Sequence, residues 1–205
     1  QFDWPLKAEN IAISNGSQAA FFILLNLFAG EMPDGSRRRI HLPLTPEYLG
    51  YADSGLNDGF FSASRPEIEL LEGRLFKYRV DFERMDPGDE AGALLASRPT
   101  NPTGNVLTDD EVARLDEIAR ERNIPLILDG AYGLPFPGII FTDATPHWNE
   151  NTILALSLSK MGMNGIRTGI VVDPREAVHD RQPLIYFGDL VGNVYAVNAA
   201  TGELA

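Results

Sequence analysis

The chain has 205 residues, a hydrophobic share of 44%, a charged share of 22% and a formal net charge of −12. This composition excludes disordered and collagen-like proteins, and the length allows one or two domains with a sizeable core. The acidic balance argues against nucleic-acid binding, because neutralising phosphates requires clustered basic residues. With no cysteine and only three scattered histidines, we expect no disulfide, no thiolate catalysis and no metal site.

The longest apolar run extends from Ala19 to Ala29, is interrupted by Asn26, and is too short to span a bilayer. No signal-peptide pattern is found, so we expect a cytoplasmic protein that does not enter a membrane. Because the chain begins with Gln1, we also expect it to be a segment of something longer. The basic run Arg37 to Arg39 predicts a solvated loop in front of a strand.

Short apolar runs alternate with helical patterns along the chain, and the pattern predicts a mostly parallel α/β sheet. A helix is predicted over 19–28. A second helix is predicted after Thr108, because Glu111 stands at capping-box spacing and Val112, Leu115 and Ile118 follow at helical spacing. Seven strands are predicted, at residues 11–13, 40–44, 60–63, 92–96, 125–128, 153–158 and 169–172.

Ligands of such sheets gather at the carboxyl ends of the strands. Taken singly, the segments found there have ordinary structural explanations: a Gly-Ser turn is most often a helix cap, and Asn-Pro-Thr-Gly is a good turn sequence. The segments are Gly16-Ser17-Gln18, Pro46-Glu47-Tyr48, Arg98 to Gly104, Asp129 to Gly133, and Ser157 to Lys160 with Arg167 further on.

Taken together, these segments match one ligand. A helix N-terminus and an arginine suit a phosphate, a lysine amine can bind an aldehyde as a Schiff base, and an aspartate can pair with a protonated ring nitrogen. A tyrosine and an asparagine can hydrogen-bond a phenolic oxygen, and a second tyrosine can stack on the ring. The ligand with all of these groups is pyridoxal 5′-phosphate (PLP).

Three motifs in this order, Asn101-Pro102-Thr103-Gly104, Asp129-x-x-Tyr132 and Ser157-x-x-Lys160, resemble the fold type I aminotransferases, which use PLP. Within that superfamily the chain is most similar to the valine–pyruvate aminotransferases, from about Ile11 to Asp173. The resemblance implies a three-layer α/β/α domain. Its seven-stranded sheet would be mostly parallel, with the last strand, 169–172, running antiparallel.

The resemblance also implies roles for individual residues. Lys160 would form the internal aldimine and then carry a proton between Cα and C4′, and Asp129 would keep the pyridine nitrogen protonated. Tyr132 and Asn101 would contact the ring oxygen, and Tyr48 would stack on the ring. Asn101 would also face the substrate carboxylate, beside a cis peptide bond. The phosphate would be held by Gly16, Ser17, Gln18, Ser157 and Arg167.

The implied reaction is transamination between an aliphatic amino acid such as valine and a keto acid such as pyruvate, by an enzyme that is a homodimer in its full-length family. One alternative is a catalytically incompetent fragment, because the family's arginine for the substrate carboxylate and its N-terminal segment have no counterpart in this sequence. Another is a different fold type I enzyme, a β-lyase or a cyclopropane-carboxylate synthase, since these share Lys160, Asp129 and Tyr132.

The C-terminal stretch reads differently. We expect residues 1–178 to form the aminotransferase-like segment and residues 179–205 to form two short strands around Gly192-Asn193. This tail resembles one repeat of a quinoprotein-type β-propeller, which predicts a spliced or chimeric chain end. Because one repeat cannot bury its apolar face alone, a further alternative is an interaction module that pairs through its open strand edge.

Overall fold

A computed structural model describes residues 3–174 and the backbone of two further strands, 184–188 and 194–198. Within these residues there are two α-helices, α1 (Ser17–Phe28) and α2 (Asp109–Glu121). The strands are β1 (Ile11–Ser14), β2 (Gly30–Glu31), β3 (Arg37–Leu42), β4 (Phe61–Ala63), β5 (Glu67–Leu70), β6 (Phe76–Arg79), β7 (Ala91–Ser97), β8 (Leu126–Asp129), β9 (Thr152–Ser157), β10 (Gly169–Val172), β11 (Leu184–Gly188) and β12 (Val194–Asn198).

The central sheet has the strand order β1-β10-β9-β8-β7-β3-β2, with β4 also pairing with β3. Strands β4, β3, β7, β8 and β9 are parallel to their neighbours in that set, whereas β10 lies antiparallel between β9 and β1. All seven predicted strands are therefore present, including the antiparallel last one. The eighth strand is the two-residue β2, which the sequence pattern did not predict.

The two faces of the sheet are covered by different helices. In β7, Ala93 and Leu95 pack into one core with α1, while Leu94 and Ala96 pack into a second core with α2. Both helices contribute fully buried apolar side chains, since successive strand residues point to opposite faces and each face must be shielded from water. The arrangement is the three-layer α/β/α fold that the sequence predicts.

The start of α2 has the predicted capping box. Thr108 Oγ1 accepts a hydrogen bond from the Glu111 amide at 3.2 Å, and Glu111 Oε2 accepts one from the Thr108 amide at 2.8 Å. These bonds use two backbone N–H groups that the helix itself cannot pair. Glu111 Oε1 also accepts from the Val80 amide at 3.1 Å, so the cap ties α2 to the end of β6.

The prediction of a loop at Arg37 to Arg39 is wrong, because all three arginines belong to β3. The reason is β2: Gly30 and Glu31 pair antiparallel with Arg38 and Arg37 and extend the strand toward the tight turn that joins them. The arginine side chains remain largely on the surface, where Arg39 Nε pairs with Glu90 Oε2 at 3.1 Å. The side chains of the run are largely solvated as expected, but the backbone is part of a strand that pairs on both sides.

The chain divides into two compact units, residues 1–174 and 175–205. In the second unit, β11 and β12 pair antiparallel from Leu184↔Asn198 to Gly188↔Val194, in agreement with the predicted hairpin-like tail. The predicted turn at Gly192-Asn193 lies outside the described residues, and the domain boundary at 178 stays a prediction. No helix in the described part of the chain is long and apolar enough to cross a bilayer.

Candidate active site

One cavity of about 450 Å³ lies at the carboxyl edge of the sheet, where β7, β8 and β9 end at Ser97, Asp129 and Ser157. Every predicted site residue except Gly16 lines it. Gly16 lies directly behind the lining, in contact with one of its side chains. The lining residues are Ser17, Gln18, Phe21, Tyr48, Ser97, Pro99, Asn101, Asp129, Ala131, Tyr132, Ser157, Ser159, Lys160, Asn164 and Arg167.

The start of α1 forms one end of the cavity. Among the described residues no side chain caps this helix, so its first-turn N–H groups and the positive end of the helix dipole are available to a ligand. Gly16 has a φ of +85°, and a Cβ there would lie 2.3 Å from the Arg167 guanidinium. Only glycine therefore lets Arg167 lie against the helix start, and together they make a site for an anion.

Strand β10 holds this end of the cavity together. A Cβ at Gly169 would lie 2.6 Å from the Ser17 amide, so β10 approaches the helix start closely. Arg167, two residues before β10, donates to Ser159 Oγ at 3.1 Å, and the Ser159 amide donates to Ser157 Oγ at 3.2 Å. Ser159 is a site residue that the sequence motifs do not single out, although it stands next to Lys160.

Lys160 lies in a short turn directly after β9 and points toward the cavity. Its Nζ lies 4.9 Å from the centre of the Tyr132 ring, a distance at which an ammonium group is attracted to the ring face. The two residues stand in loops after different strands, 28 positions apart, so the parallel order of β8 and β9 brings them together. The Lys160 amine therefore lies over the Tyr132 ring at the wall of the cavity.

Asp129 is the buried carboxyl of the site, at the end of β8. Its Oδ1 accepts from the Ala131 amide at 2.8 Å and its Oδ2 accepts from the Tyr51 hydroxyl at 2.5 Å. Burial raises the pKa of Asp129, although both hydrogen bonds act in the opposite direction. Tyr48 and Asn101 line the cavity as predicted, and the bond from Asn101 to Pro102 is cis.

The sequence analysis assigns no role to three residues near Asp129: Glu47, Ser97 and Tyr51. Ser97 Oγ lies 2.6 Å from Glu47 Oε2 and 2.9 Å from the Tyr51 hydroxyl. Burial raises the pKa of Glu47 to about 7; burial, followed by the neighbouring Asp129, raises the pKa of Tyr51 well above its ordinary value. The available signal was the three-residue spacing of Tyr48 and Tyr51, whose rings pack edge to face at 5.4 Å.

The sequence model of aminotransferase class I and II matches residues 67–197. The chain belongs to this family, whose enzymes depend on PLP. The match covers β5 to β12 and includes Asn101, Asp129, Tyr132 and Lys160. The family thus agrees with the fold and with the donor set of the cavity.

The chain is 54% identical over 169 residues to the valine–pyruvate aminotransferase of Escherichia coli K12, an alignment that covers 82% of this chain and 40% of that protein. The crystal structure of valine–pyruvate aminotransferase from Salmonella typhimurium LT2 is 54% identical and superposes with a TM-score of 0.76, over 83% of this chain and 42% of that one. A histidinol-phosphate aminotransferase of Pyrococcus furiosus is 30% identical over 175 residues, covering 82% of this chain and 44% of that protein. The chain thus spans about two fifths of the length of these relatives.

The likeness of the C-terminal tail to a β-propeller repeat is not supported. The aminotransferase family match continues to residue 197 and takes in β11 and all but the last residue of β12. The predicted end of the aminotransferase likeness near Asp173 is therefore placed too early. The short Gly-rich and Thr-Gly turns that suggested a propeller repeat are common to many antiparallel strand pairs.

Proposed function

We propose that this chain supplies the cofactor site of a PLP-dependent aminotransferase, which exchanges an amino group between an aliphatic amino acid such as valine and a keto acid such as pyruvate. One observation carries the proposal: Lys160, Asp129 and Arg167 line a single cavity. The substrates follow from the 54% identity to a valine–pyruvate aminotransferase. The cytoplasmic location and the homodimer expected from the sequence stay predictions.

The cavity has the donor set that PLP needs. PLP carries a phosphate, a ring nitrogen and an aldehyde, and the cavity has a different group for each of them. The uncapped start of α1 and Arg167 suit the phosphate, the buried Asp129 suits a protonated ring nitrogen, and Lys160 suits the aldehyde. Tyr48 and Asn101 line the remaining walls, where a ring face and a ring oxygen need partners.

Each residue has a separate task in the proposed reaction. When bound, PLP supplies a ring that withdraws electrons from the substrate's α-carbon. Asp129, buried at the end of β8, would hold a proton on the ring nitrogen. Lys160 would hold the cofactor through its amine and would move a proton at the substrate's α-carbon. The start of α1 and Arg167 fix the phosphate, so the ring keeps one orientation.

The proposal is tested by adding PLP, reducing the mixture with borohydride and mapping the modified peptide. The chain has three lysines, Lys7, Lys77 and Lys160, which makes the assignment simple. We expect a single cofactor adduct at Lys160, which is lost in K160R and kept in the matched variant K7R. An adduct distributed over all three lysines, or none, would overturn the cofactor assignment.

A second measurement tests the reaction separately from the cofactor. The PLP-loaded chain is incubated with valine and pyruvate, and ketoisovalerate and alanine are measured. Formation of both products supports transamination with these substrates. A loaded chain that yields pyruvate and ammonia from a substrate with a β-leaving group, and no alanine, would favour the β-lyase alternative.

A further inference from the structure

At the wall of the cavity, four oxygen-bearing side chains form a row of hydrogen bonds, here called the hydrogen-bonded chain: Glu47, Ser97, Tyr51 and Asp129. Glu47 Oε2 lies 2.6 Å from Ser97 Oγ, Ser97 Oγ lies 2.9 Å from the Tyr51 hydroxyl, and the Tyr51 hydroxyl lies 2.5 Å from Asp129 Oδ2. Ser97 and Tyr51 are each 2% exposed. Asp129 is 7% exposed, so three of the four side chains are buried, whereas Glu47 at the end of the row is half-buried.

Backbone amides fix the orientation of both carboxyl groups at the ends of this chain. Glu47 Oε1 accepts from the Ser97 amide at 2.8 Å, and Asp129 Oδ1 accepts from the Ala131 amide at 2.8 Å. Because a backbone N–H group can only donate a hydrogen bond, these two carboxyl oxygens act as acceptors. The other two oxygens, Oε2 and Oδ2, are left to face the hydroxyls, with a longer 3.2 Å contact from the Tyr48 amide to Oε2.

The number of hydrogens in the chain is fixed by its three oxygen–oxygen contacts. Each contact at hydrogen-bond distance needs one hydrogen between the two oxygens, so three are required. Ser97 and Tyr51 carry one hydroxyl hydrogen each, which gives two. The third has to come from a carboxyl group, either Glu47 or Asp129.

The surroundings also disfavour two charges. Burial raises the pKa of both carboxyls, and the neighbouring Asp129 adds to the rise in the pKa of Glu47. The titratable groups that face the pair are Tyr48 and Tyr51 on the loop after β3. On the cavity side, Lys160 and Arg167 share the lining with Asp129. Two ionised carboxyls in such a place would be costly, because buried charges need partners.

We propose that Glu47 and Asp129 share one proton through Ser97 and Tyr51, and that Glu47 holds it when Asp129 is ionised. With the proton on Glu47, all three hydrogen bonds point the same way: Glu47 donates to Ser97, Ser97 to Tyr51, and Tyr51 to Asp129. With the proton on Asp129, all three reverse. Glu47 is thus a positioning residue that acts on the cavity only through its partners.

The inference rests on the proposed function in one respect: it is Asp129 that would meet the ring nitrogen of PLP. A protonated ring nitrogen donates a hydrogen bond and needs an ionised acceptor. By taking the shared proton, Glu47 leaves Asp129 as that acceptor, stabilised by the Tyr51 hydroxyl at 2.5 Å. The shared proton itself does not depend on the cofactor and is tested without it.

The test is an infrared pH titration of the full chain without PLP, following the carbonyl stretch of a buried protonated carboxyl. We expect one such band, which disappears as the pH rises through about 7. In E47Q the new side-chain amide donates to Ser97 Oγ and accepts from the Ser97 backbone N–H. Every hydrogen bond of the hydrogen-bonded chain is then donated toward Asp129, so Asp129 ionises. In D129N the new side-chain amide donates to the Tyr51 hydroxyl. Every hydrogen bond of the hydrogen-bonded chain is then donated toward Glu47, so Glu47 ionises. Each variant alone should therefore lose the whole band.

The matched control is E72Q, the same substitution at an exposed glutamate, which should keep the band unchanged. If the two carboxyls titrate independently, E47Q keeps a band from Asp129 or D129N keeps one from Glu47, and either result overturns the proposal. If D129N does not fold, E47Q decides alone. Failure to bind PLP would overturn the proposed function and leave this titration unaffected.

Discussion

At the residue scale, Gly16 is the backbone position on which the anion site depends. It combines a left-handed backbone with the close approach of Arg167, and each would be disturbed by a side chain. Gly35 offers a comparison, since it has a similar φ of +81° with open space around it. Comparing a substitution at Gly16 with the same substitution at Gly35 therefore distinguishes the effect of backbone strain from the effect of displacing Arg167.

We predict that G16A weakens PLP binding at least about tenfold and also lowers the free energy of unfolding by about 1–2 kcal/mol, because a Cβ displaces Arg167 and the left-handed conformation is strained. G35A should have only the stability loss. The measurements are PLP titration by absorbance and urea unfolding of both variants. Equal PLP affinity in G16A and the wild type would show that Arg167 does not hold the phosphate.

His41 gives the chain an acid-sensitive point in the core. Its ring lies between the Ser62 and Ser64 hydroxyls at 3.0 and 3.1 Å and is 1% exposed, and burial lowers its pKa to about 4. In the unfolded chain the pKa of histidine is about 6.5. The unfolded state therefore binds more protons between these values, and His41 contributes stability above pH 6.5 that is lost as the pH falls.

We predict that the wild type loses about 2 kcal/mol of stability between about pH 8 and about pH 5 relative to H41Q, which cannot titrate. Glu47 acts in the opposite direction, since its raised pKa gives stability below its unfolded value that is lost as the pH rises to about 7. Urea unfolding of both proteins across this range isolates the His41 part. Parallel pH curves would contradict the prediction.

At the scale of elements, periodicity and capping predict what lies in the core, but they predict the sheet edge poorly. Strands β3, β7, β8, β9 and β10 and both helices are predicted because their apolar residues are buried in runs or at helical spacing; β1 is predicted too, although Ile11 and Ile13 are exposed. The β5–β6 hairpin is missing from the prediction although both strands alternate, because Ile68 and Leu70 are exposed and define no core face. Strand β2 is too short to show any pattern.

The site residues also fall into those that a local sequence pattern predicts and those that it does not. Residues carried by turn motifs, such as Asn101 and Lys160, are predicted from the sequence and found in the cavity. The roles of Glu47 and Ser97 are not predicted, because they depend on a contact between two residues that lie 50 positions apart in the sequence. A carboxyl that faces inward from a loop has no local sequence signal.

For the capping box we predict that T108A lowers the free energy of unfolding by about 1 kcal/mol, since the Glu111 amide loses its partner. T108S keeps the hydroxyl and should keep most of the stability. Urea unfolding measures both. A loss in T108S as large as that in T108A would point to the threonine methyl group instead of the cap.

At the scale of the whole molecule, a net charge of −12 coexists with an anion site. The site is local: backbone amides at the start of α1 and one arginine provide it, and the surrounding charge affects solubility more than binding. All the cavity residues lie between Ser17 and Arg167, within the unit of residues 1–174.

We therefore predict that removing residues 175–205 changes PLP affinity by less than about threefold. The truncated and complete chains are compared by PLP titration, and far-UV circular dichroism verifies that the truncated chain is folded. A folded truncated chain that no longer binds PLP would show that the C-terminal unit supports the site from outside the cavity.

The antiparallel pairing of β1 with β10 also affects when the sheet can form during synthesis. Strand β1 pairs with β10 in the register Ile11↔Val172, so among the described residues its sheet partner is synthesised much later than β1 itself. At roughly 5–20 residues per second, that partner follows after about 8 to 30 seconds of synthesis. Closing so long a loop is slow and makes folding depend on non-local contacts. Gly16 follows β1 and Arg167 precedes β10, so we expect a nascent chain to acquire its anion site only after β10 has paired with β1.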